Sequence, residues 1–228
     1  MITDIFTTQH ARDLDQACSD LALQATNEEK KQLLEYLTQL LKWNKTYNLT
    51  AIREPKQALV QHVFDSLAII APLLKHIKEQ NLNTIRILDV GSGAGLPGVV
   101  IAIMIPNTEV TCVDTVGKKM TFVRQIAGVL KLSNLSAIQS RVEQLKAEPY
   151  DIVTSRAFSS LVDFAQLAGE HVKKDGVLLG MKGKEPHQEI EELEKNTNWH
   201  VDKIENLNVP ELNAQRCLVW MKKKEHND

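Results

Sequence analysis

The sequence predicts an α/β fold: a mostly parallel sheet of seven strands covered by helices on both faces, with an antiparallel hairpin at one edge and a helical cap in front. Three observations carry this. From Thr84 onward, short apolar runs alternate with stretches of helical periodicity. The first run opens directly into a glycine-rich turn. Between the last two runs lies only Asn206 to Asn213, interrupted by Pro210, so they must fold back on one another instead of crossing over.

The elements follow in order. Residues 1–80 read as the helical cap and 81–228 as the sheet domain. In the cap, Leu33, Leu34, Leu37, Leu40 and Leu41 fall at helical spacing, and Thr26-Asn27-Glu28-Glu29 supplies a cap and negative charge at the helix start. Pro55 suits the first turn of a second helix with the stripe Leu59, Val63, Leu67, Ile70, Leu74, which Pro72 should bend or end early. Expected strands are Ile85 to Val90, Glu109 to Asp114, Leu135 to Gln139, Asp151 to Ser155, Gly176 to Met181, Val201 to Leu207 and Cys217 to Met221. Expected helices between them are Gly95 to Ile105, Lys118 to Leu130, Leu161 to Val172 and Glu185 to Lys195.

Composition narrows the function classes. The 228 residues are 43% hydrophobic and 25% charged, ordinary for a folded domain, and the formal net charge of −2 provides no overall positive field for nucleic acid. Any RNA contact must come from a local patch. Three widely spaced cysteines (Cys18, Cys112, Cys217) make neither a disulfide framework nor a zinc site, so no metal is expected. The first ten residues lack the basic-then-apolar pattern of a secretion signal, and the longest apolar run, Val99 to Ile105, is short of the roughly 20 residues of a membrane span. A cytoplasmic monomer with no membrane contact is expected.

The strongest local signal is Asp89-Val90-Gly91-Ser92-Gly93-Ala94-Gly95-Leu96-Pro97-Gly98, a strand running through a glycine turn into a helix. Asp114 ends the next strand, where a carboxylate can bind ribose hydroxyls or cap the following helix. Dinucleotide and S-adenosylmethionine sites share this much. A carboxylate at Asp89 would face the pyrophosphate of a dinucleotide unfavourably, whereas S-adenosylmethionine brings a sulfonium and an ammonium. The reading is therefore a Rossmann-like S-adenosylmethionine-dependent methyltransferase fold, with Asp89, Gly91, Gly93, Gly95 and Asp114 at the cofactor. The segment after the fourth strand, Thr154 to Phe158, lacks the Pro-Pro pair of exocyclic-amine methylases, and no cysteine lies in the expected cleft for covalent attack on a pyrimidine. A ring nitrogen such as guanine N7 needs no proton removed, so no catalytic acid or base is expected.

Several motifs together resemble one family. Trp43-Asn44-Lys45-Thr46-Tyr47-Asn48-Leu49-Thr50, His62-Val63-Phe64-Asp65-Ser66-Leu67, the Asp89 to Gly98 loop and Ser155-Arg156-Ala157 are similar to segments of the glucose-inhibited division protein B family of bacterial 16S ribosomal RNA methyltransferases. The resemblance runs from about Leu33 to Met221. It implies methyl transfer from S-adenosyl-L-methionine to N7 of one guanine in the decoding-region loop of 16S rRNA, in the 30S subunit or an assembly intermediate. By position match it implies cofactor contacts at Gly91, Leu96, Val142, Glu143 and Arg156. For Glu143 the local alternative is an ion pair with Arg141, and for Arg156 an RNA phosphate or a neighbouring acid.

Candidate RNA contacts are Asn48, Arg53, Lys118, Lys119, Arg124 and Lys182, with Lys56, Lys173, Lys174 and Lys184 as possible additions to a basic rim. His62 and Asp65 share a helix face, as substrate-side groups or as packing between cap and sheet. Two other functions keep the same loop: a ribosome-assembly factor that binds the methyl donor without catalysis, and a nicotinamide oxidoreductase, which Asp89 disfavours.

Overall fold

The computed structural model describes residues 6–80 and 84–224; the first five residues of the expected cap and its boundary at residue 81 lie outside the described residues. Strands β1 (Ile85–Val90), β2 (Thr108–Asp114), β3 (Leu135–Gln139), β4 (Tyr150–Ser155), β5 (Val172–Lys182), β6 (Trp199–Leu207) and β7 (Arg216–Lys223) form one sheet in the order β3-β2-β1-β4-β5-β7-β6. The first five are parallel. β7 inserts antiparallel between β5 and β6, with Lys182 opposite Cys217. The start of β7 therefore lies at the edge where the parallel strands end.

Alternation along the strands divides the core in two. Ile85, Ile87, Cys112, Ile152 and Leu179 face the cap and helices α6 (Gly98–Met104) and α7 (Gly117–Val129). Leu88, Val90, Val153, Leu178 and Val219 face α8 (Leu161–Ala168), with α9 (His187–Asn196) beyond it. Buried on both sides, these strands read as nearly continuous apolar runs.

Two boundaries depart from the sequence expectation. The helix expected to reach Val172 stops at Ala168 and tightens into a 3₁₀ turn, Gly169–His171. Gly169 sits under the Trp199 indole, where a Cβ would come within 2.9 Å of Nε1, and the chain after it joins the sheet early by pairing Val172 with Tyr150. The helix expected from Gly95 begins at Gly98, with Pro97 just before it, because the preceding residues are taken by the turn.

The cap consists of α1 (Thr8–Asp20), α2 (Asn27–Tyr47), α3 (Pro55–Ala58), a π-helical stretch Leu59–Phe64, α4 (Asp65–Leu67) and α5 (Ile70–Glu79). α2 starts on the expected cap: Thr26 Oγ1 accepts from Glu29 N and Thr26 N donates to the Glu29 carboxylate. α1 escapes periodicity reasoning because only Leu14, Ala17 and Cys18 are buried in it. Pro72 acts as expected, since it cannot donate to the Ala68 carbonyl and its ring crowds that turn. The helix is interrupted at Ala68–Ile69, and Pro72 falls in the first turn of α5. Pro55–Glu79 is long and apolar enough by composition to span a membrane, yet most of it is buried within the protein.

Candidate active site

The order of the sheet reverses between β1 and β4, and the crevice beyond their carboxyl ends is where open α/β sheets bind ligands. The turn after β1 is held from below. Gly91 N and Ser92 N donate to Val113 O, and Gly95 N and Leu96 N both donate to Ser92 O. From the cap, the buried Tyr36 hydroxyl donates to Ala94 O at 3.0 Å. The glycines divide by role. Gly91 (φ +66°) and Gly93 (φ +60°) lie in the left-handed region. A Cβ on Gly91 would strike Ala157 at 2.9 Å, while one on Gly93 would meet nothing nearer than Lys119 Nζ at 4.0 Å. Gly93 is thus the place where a ligand can touch the main chain. A Cβ on Gly95 (φ +93°) would strike Val99 at 2.6 Å and Val123 at 3.0 Å, and the Leu96 side chain is buried.

Asp114 is fixed by the loop it serves. Its Oδ2 accepts from Gly93 N and its Oδ1 from Val116 N, both at 2.9 Å, so it also caps the region before α7. Each oxygen keeps a lone pair for a ribose hydroxyl. Asp89 does not face the crevice as the charge argument expected. It is fully buried beneath the turn, with Oδ2 accepting from Gly98 N at 2.8 Å and Oδ1 without a partner among the described residues. Burial pushes its pKa up to about 7, against the opposing pull of the Gly98 N–H. Ser92 Oγ is also buried, beside the Cys112 thiol. An open glycine beside a carboxylate whose oxygens keep lone pairs fits a ligand that carries a ribose.

The second half of the crevice is built from side chains. Ser155 Oγ donates to Val90 O at 2.7 Å, pinning the turn after β4 against β1 and setting Arg156 beside the glycine loop. Arg156 Nη1 donates to Asp65 Oδ2 at 3.0 Å and to Gln61 O at 3.3 Å. Arg216 Nε reaches the other oxygen of Asp65 at 2.7 Å. Lys182 Nζ pairs with Glu189 at 2.7 Å and donates to Ser159 O. Arg156, Lys182, Arg216 and Asp65 line a cavity of about 400 Å³ in which three cations face one acid. His62 closes one wall, with Nε2 on Thr50 Oγ1 at 3.1 Å. Burial, with Arg156 adding to it, drives its pKa down to about 4, so the ring is neutral at pH 7.

The other expected residues scatter. Val142 is buried, and its carbonyl accepts from His171 Nε2 at 2.7 Å; Glu143 pairs with Arg141 at 3.6 Å, the surface alternative. Lys119 turns inward to lie 4.0 Å from Asp114, which removes it from the RNA rim, while Lys118 stays exposed at the start of α7. Arg124, two turns further along α7, is tied to Ala137 O on the edge strand. Lys173 and Lys174 begin β5 and so lie at the opposite edge of the sheet, with Lys173 on Asp151. Lys184 is exposed just past the end of β5. Asn48 is the left-handed C-cap of α2 (φ +48°) and accepts from Arg53, a turn-forming pair. Arg216 was not anticipated. The only signal for it was the antiparallel hairpin, which puts the first residue of the last strand at the carboxyl edge. Among the described residues no cluster of three or more His, Cys, Asp or Glu is arranged to hold a metal.

The chain is similar to known proteins over most of its length. A family model described as GidB, rRNA small subunit methyltransferase G, matches residues 29–219. Ribosomal RNA small subunit methyltransferase G of Bordetella pertussis is 52% identical over 218 residues, 95% of each chain. The protein of that name from Methylibium petroleiphilum is 46% identical over 214 residues, 94% of this chain and 95% of its own. Among solved structures, the ribosomal protein L11 methylase from Lactobacillus delbrueckii superposes with a TM-score of 0.52 at 14% identity, over 67% of this chain and 76% of that one. A SAM dependent methyltransferase from Aquifex aeolicus gives 0.51 at 18% identity, over 69% and 92%. At such identities the likeness is one of fold.

Proposed function

The chain belongs to the rRNA small subunit methyltransferase G family, and from that premise we propose that it methylates N7 of a single guanine in the decoding-region loop of 16S ribosomal RNA. The methyl donor is S-adenosyl-L-methionine. The observation that carries the site assignment is the open Gly93 turn above Asp114 with Arg156 at the end of the neighbouring strand.

In this reading Asp114 holds the ribose hydroxyls, the Val142 main chain meets the adenine edge, and Arg156 takes the methionine carboxylate. The bound donor supplies a methyl carbon made electrophilic by its sulfonium. Guanine N7 forms a bond to that carbon with its own lone pair as the sulfur–carbon bond breaks, and sulfur keeps the electron pair. No proton has to leave first, so the protein's task is alignment and charge placement. A neutral His62 suits this role, since it adds no positive charge beside a base that is acquiring one. Covalent catalysis has no nucleophile to use: Cys18, Cys112 and Cys217 are all buried, and burial raises the thiol pKa of each. Lys182, braced by Glu189, lines the RNA-facing pocket of this cytoplasmic enzyme, and the exposed Lys118 and Arg53 add positive charge outside its lining.

The test is transfer of labelled methyl to 30S subunits and to protein-free 16S rRNA from cells lacking this activity, followed by nuclease mapping. The expected product is one N7-methylguanosine. Cofactor binding with no transfer would favour the assembly-factor reading, and label on another atom would displace the N7 assignment.

A further inference from the structure

A second cavity, of about 790 Å³, adjoins the cationic pocket and shares Gln61 and Arg216 with it. It runs between the α3 turn with the π-helical stretch on one side and the loop joining β6 to β7 on the other. Apart from Arg216, which holds Asp65 through Nε, its charges are engaged within the protein. The Glu54 carboxylate accepts from Lys56 N at 3.0 Å and Gln57 N at 2.5 Å, bonds that hold its pKa below the usual carboxylate value. Lys56 Nζ lies 2.5 Å from Asp13 and 2.6 Å from Glu211, a latch joining α1, α3 and the β6–β7 loop.

What remains for a ligand is the side-chain amides of Gln57, Gln61 and Asn213, over a floor that includes Val60 and Leu212, with Arg216 at the junction. Among the described residues none of these amides bonds within the protein. Neutral groups that both donate and accept suit the edge of an unstacked base, and a guanidinium suits a phosphate. Glu54 and Glu211 argue against a ligand whose anionic groups lie along the whole groove. One anionic group at the Arg216 end and a neutral polar plane beyond it describe one nucleotide.

We propose that this groove takes the nucleotide next to the target guanine in the same RNA strand, with its base against Gln57 and Asn213 and the intervening phosphate on Arg216. This rests on the rRNA methyltransferase reading and adds to it a source of sequence selectivity outside the methylated base. It also accounts for how a chain of net charge −2 engages RNA: one concentrated cationic step leads into a neutral reading surface.

The test uses the full chain with 30S subunits as substrate. The double variant Gln57→Ala/Asn213→Ala should raise KM for RNA about tenfold while kcat and the Kd for S-adenosyl-L-methionine stay unchanged. Arg216→Gln should lower the slope of log binding constant against log salt by about 0.7, the value of one phosphate on a single strand. Because Arg216 also braces Asp65, a readout on the unsubstituted chain accompanies these. A photoreactive thionucleotide placed immediately 5′ or 3′ of the target should cross-link, from one of the two positions, to the 208–216 peptide. An unchanged KM with cross-links elsewhere overturns the proposal, as does an equal loss of cofactor affinity, which would assign the groove to the cofactor. If the unsubstituted chain transfers no methyl to rRNA, the parent reading fails; if it methylates normally while the double variant is indistinguishable from it, the groove alone fails.

Discussion

Asp89 and Asp65 are both buried at the active-site crevice, at 0% and 2% exposure, and the protein accommodates them in opposite ways. Asp89 lies under the glycine turn with one backbone N–H for a partner, and its pKa is raised to about 7. Asp65 lies under the second half of the crevice with a guanidinium on each oxygen. The glycine-turn half is thus assembled chiefly from main-chain groups near in sequence, with the Asp114 carboxylate accepting from Gly93 N. The second half is assembled from long side chains that arrive from α4, the end of β4 and the start of β7. A backbone-built half is rigid and insensitive to distant substitution; a side-chain-built half ties three segments together and fails when its central acid is lost.

The sharpest way to break this contrast is pH. Between the unfolded value of 3.8 and the folded value of about 7, the unfolded chain ionises Asp89 and the folded chain does not, so stability present below pH 4 is lost as pH rises toward 7. His62 acts in the other direction, because its value falls from 6.5 to about 4 on folding and stability therefore rises over that interval. Subtracting the unfolding curve of Asp89→Asn from that of the unsubstituted, ligand-free chain cancels His62. The difference should fall by up to about 1.4 kcal/mol per pH unit between pH 4 and 7. A flat difference in urea titrations would mean that Asp89 is charged where it lies, and the two aspartates would no longer differ.

Next in size is Asp65→Ala, which leaves two guanidinium groups facing each other. They keep about a quarter to a third of their exposure, so the cost should be about 3 kcal/mol, the lower end for a broken buried pair, with methyl transfer lost. Denaturant midpoints within about 0.5 kcal/mol of the parent, the range of ordinary surface changes, would show that Asp65 is not the node of this half.

The smallest effect sharpens the cofactor half. Gly93→Ala places a Cβ in open space at φ +60°, so it should cost only about 1 kcal/mol of stability and yet weaken cofactor binding about tenfold by occupying the ligand's approach. Calorimetric titration showing undiminished affinity would move the ligand away from Gly93.

How much was legible follows from these same residues. The strand order's antiparallel edge, the Thr26 cap on α2, the glycine turn and Asp114 at the end of β2 all depend on periodicity or on residues close together in the chain, and sequence reasoning reached them. It misplaced Asp89, because charge arguments give the sign of a field but not the side of the strand on which a carboxylate is buried. It grouped Lys119, Arg124 and Lys173 in one basic rim, whereas helix rotation and strand direction send them to the cofactor acid, the edge strand and the opposite end of the sheet. Arg216 meets Asp65 across 151 positions and Arg156 meets it across 91. By itself, then, the sequence determined the fold class and the glycine turn after β1, because those are consequences of apolar spacing and of glycine's backbone freedom. The tertiary structure alone decided which charges converge on Asp65 in the crevice, because long side chains take their partners from whatever the packed core brings within about 4 Å of them.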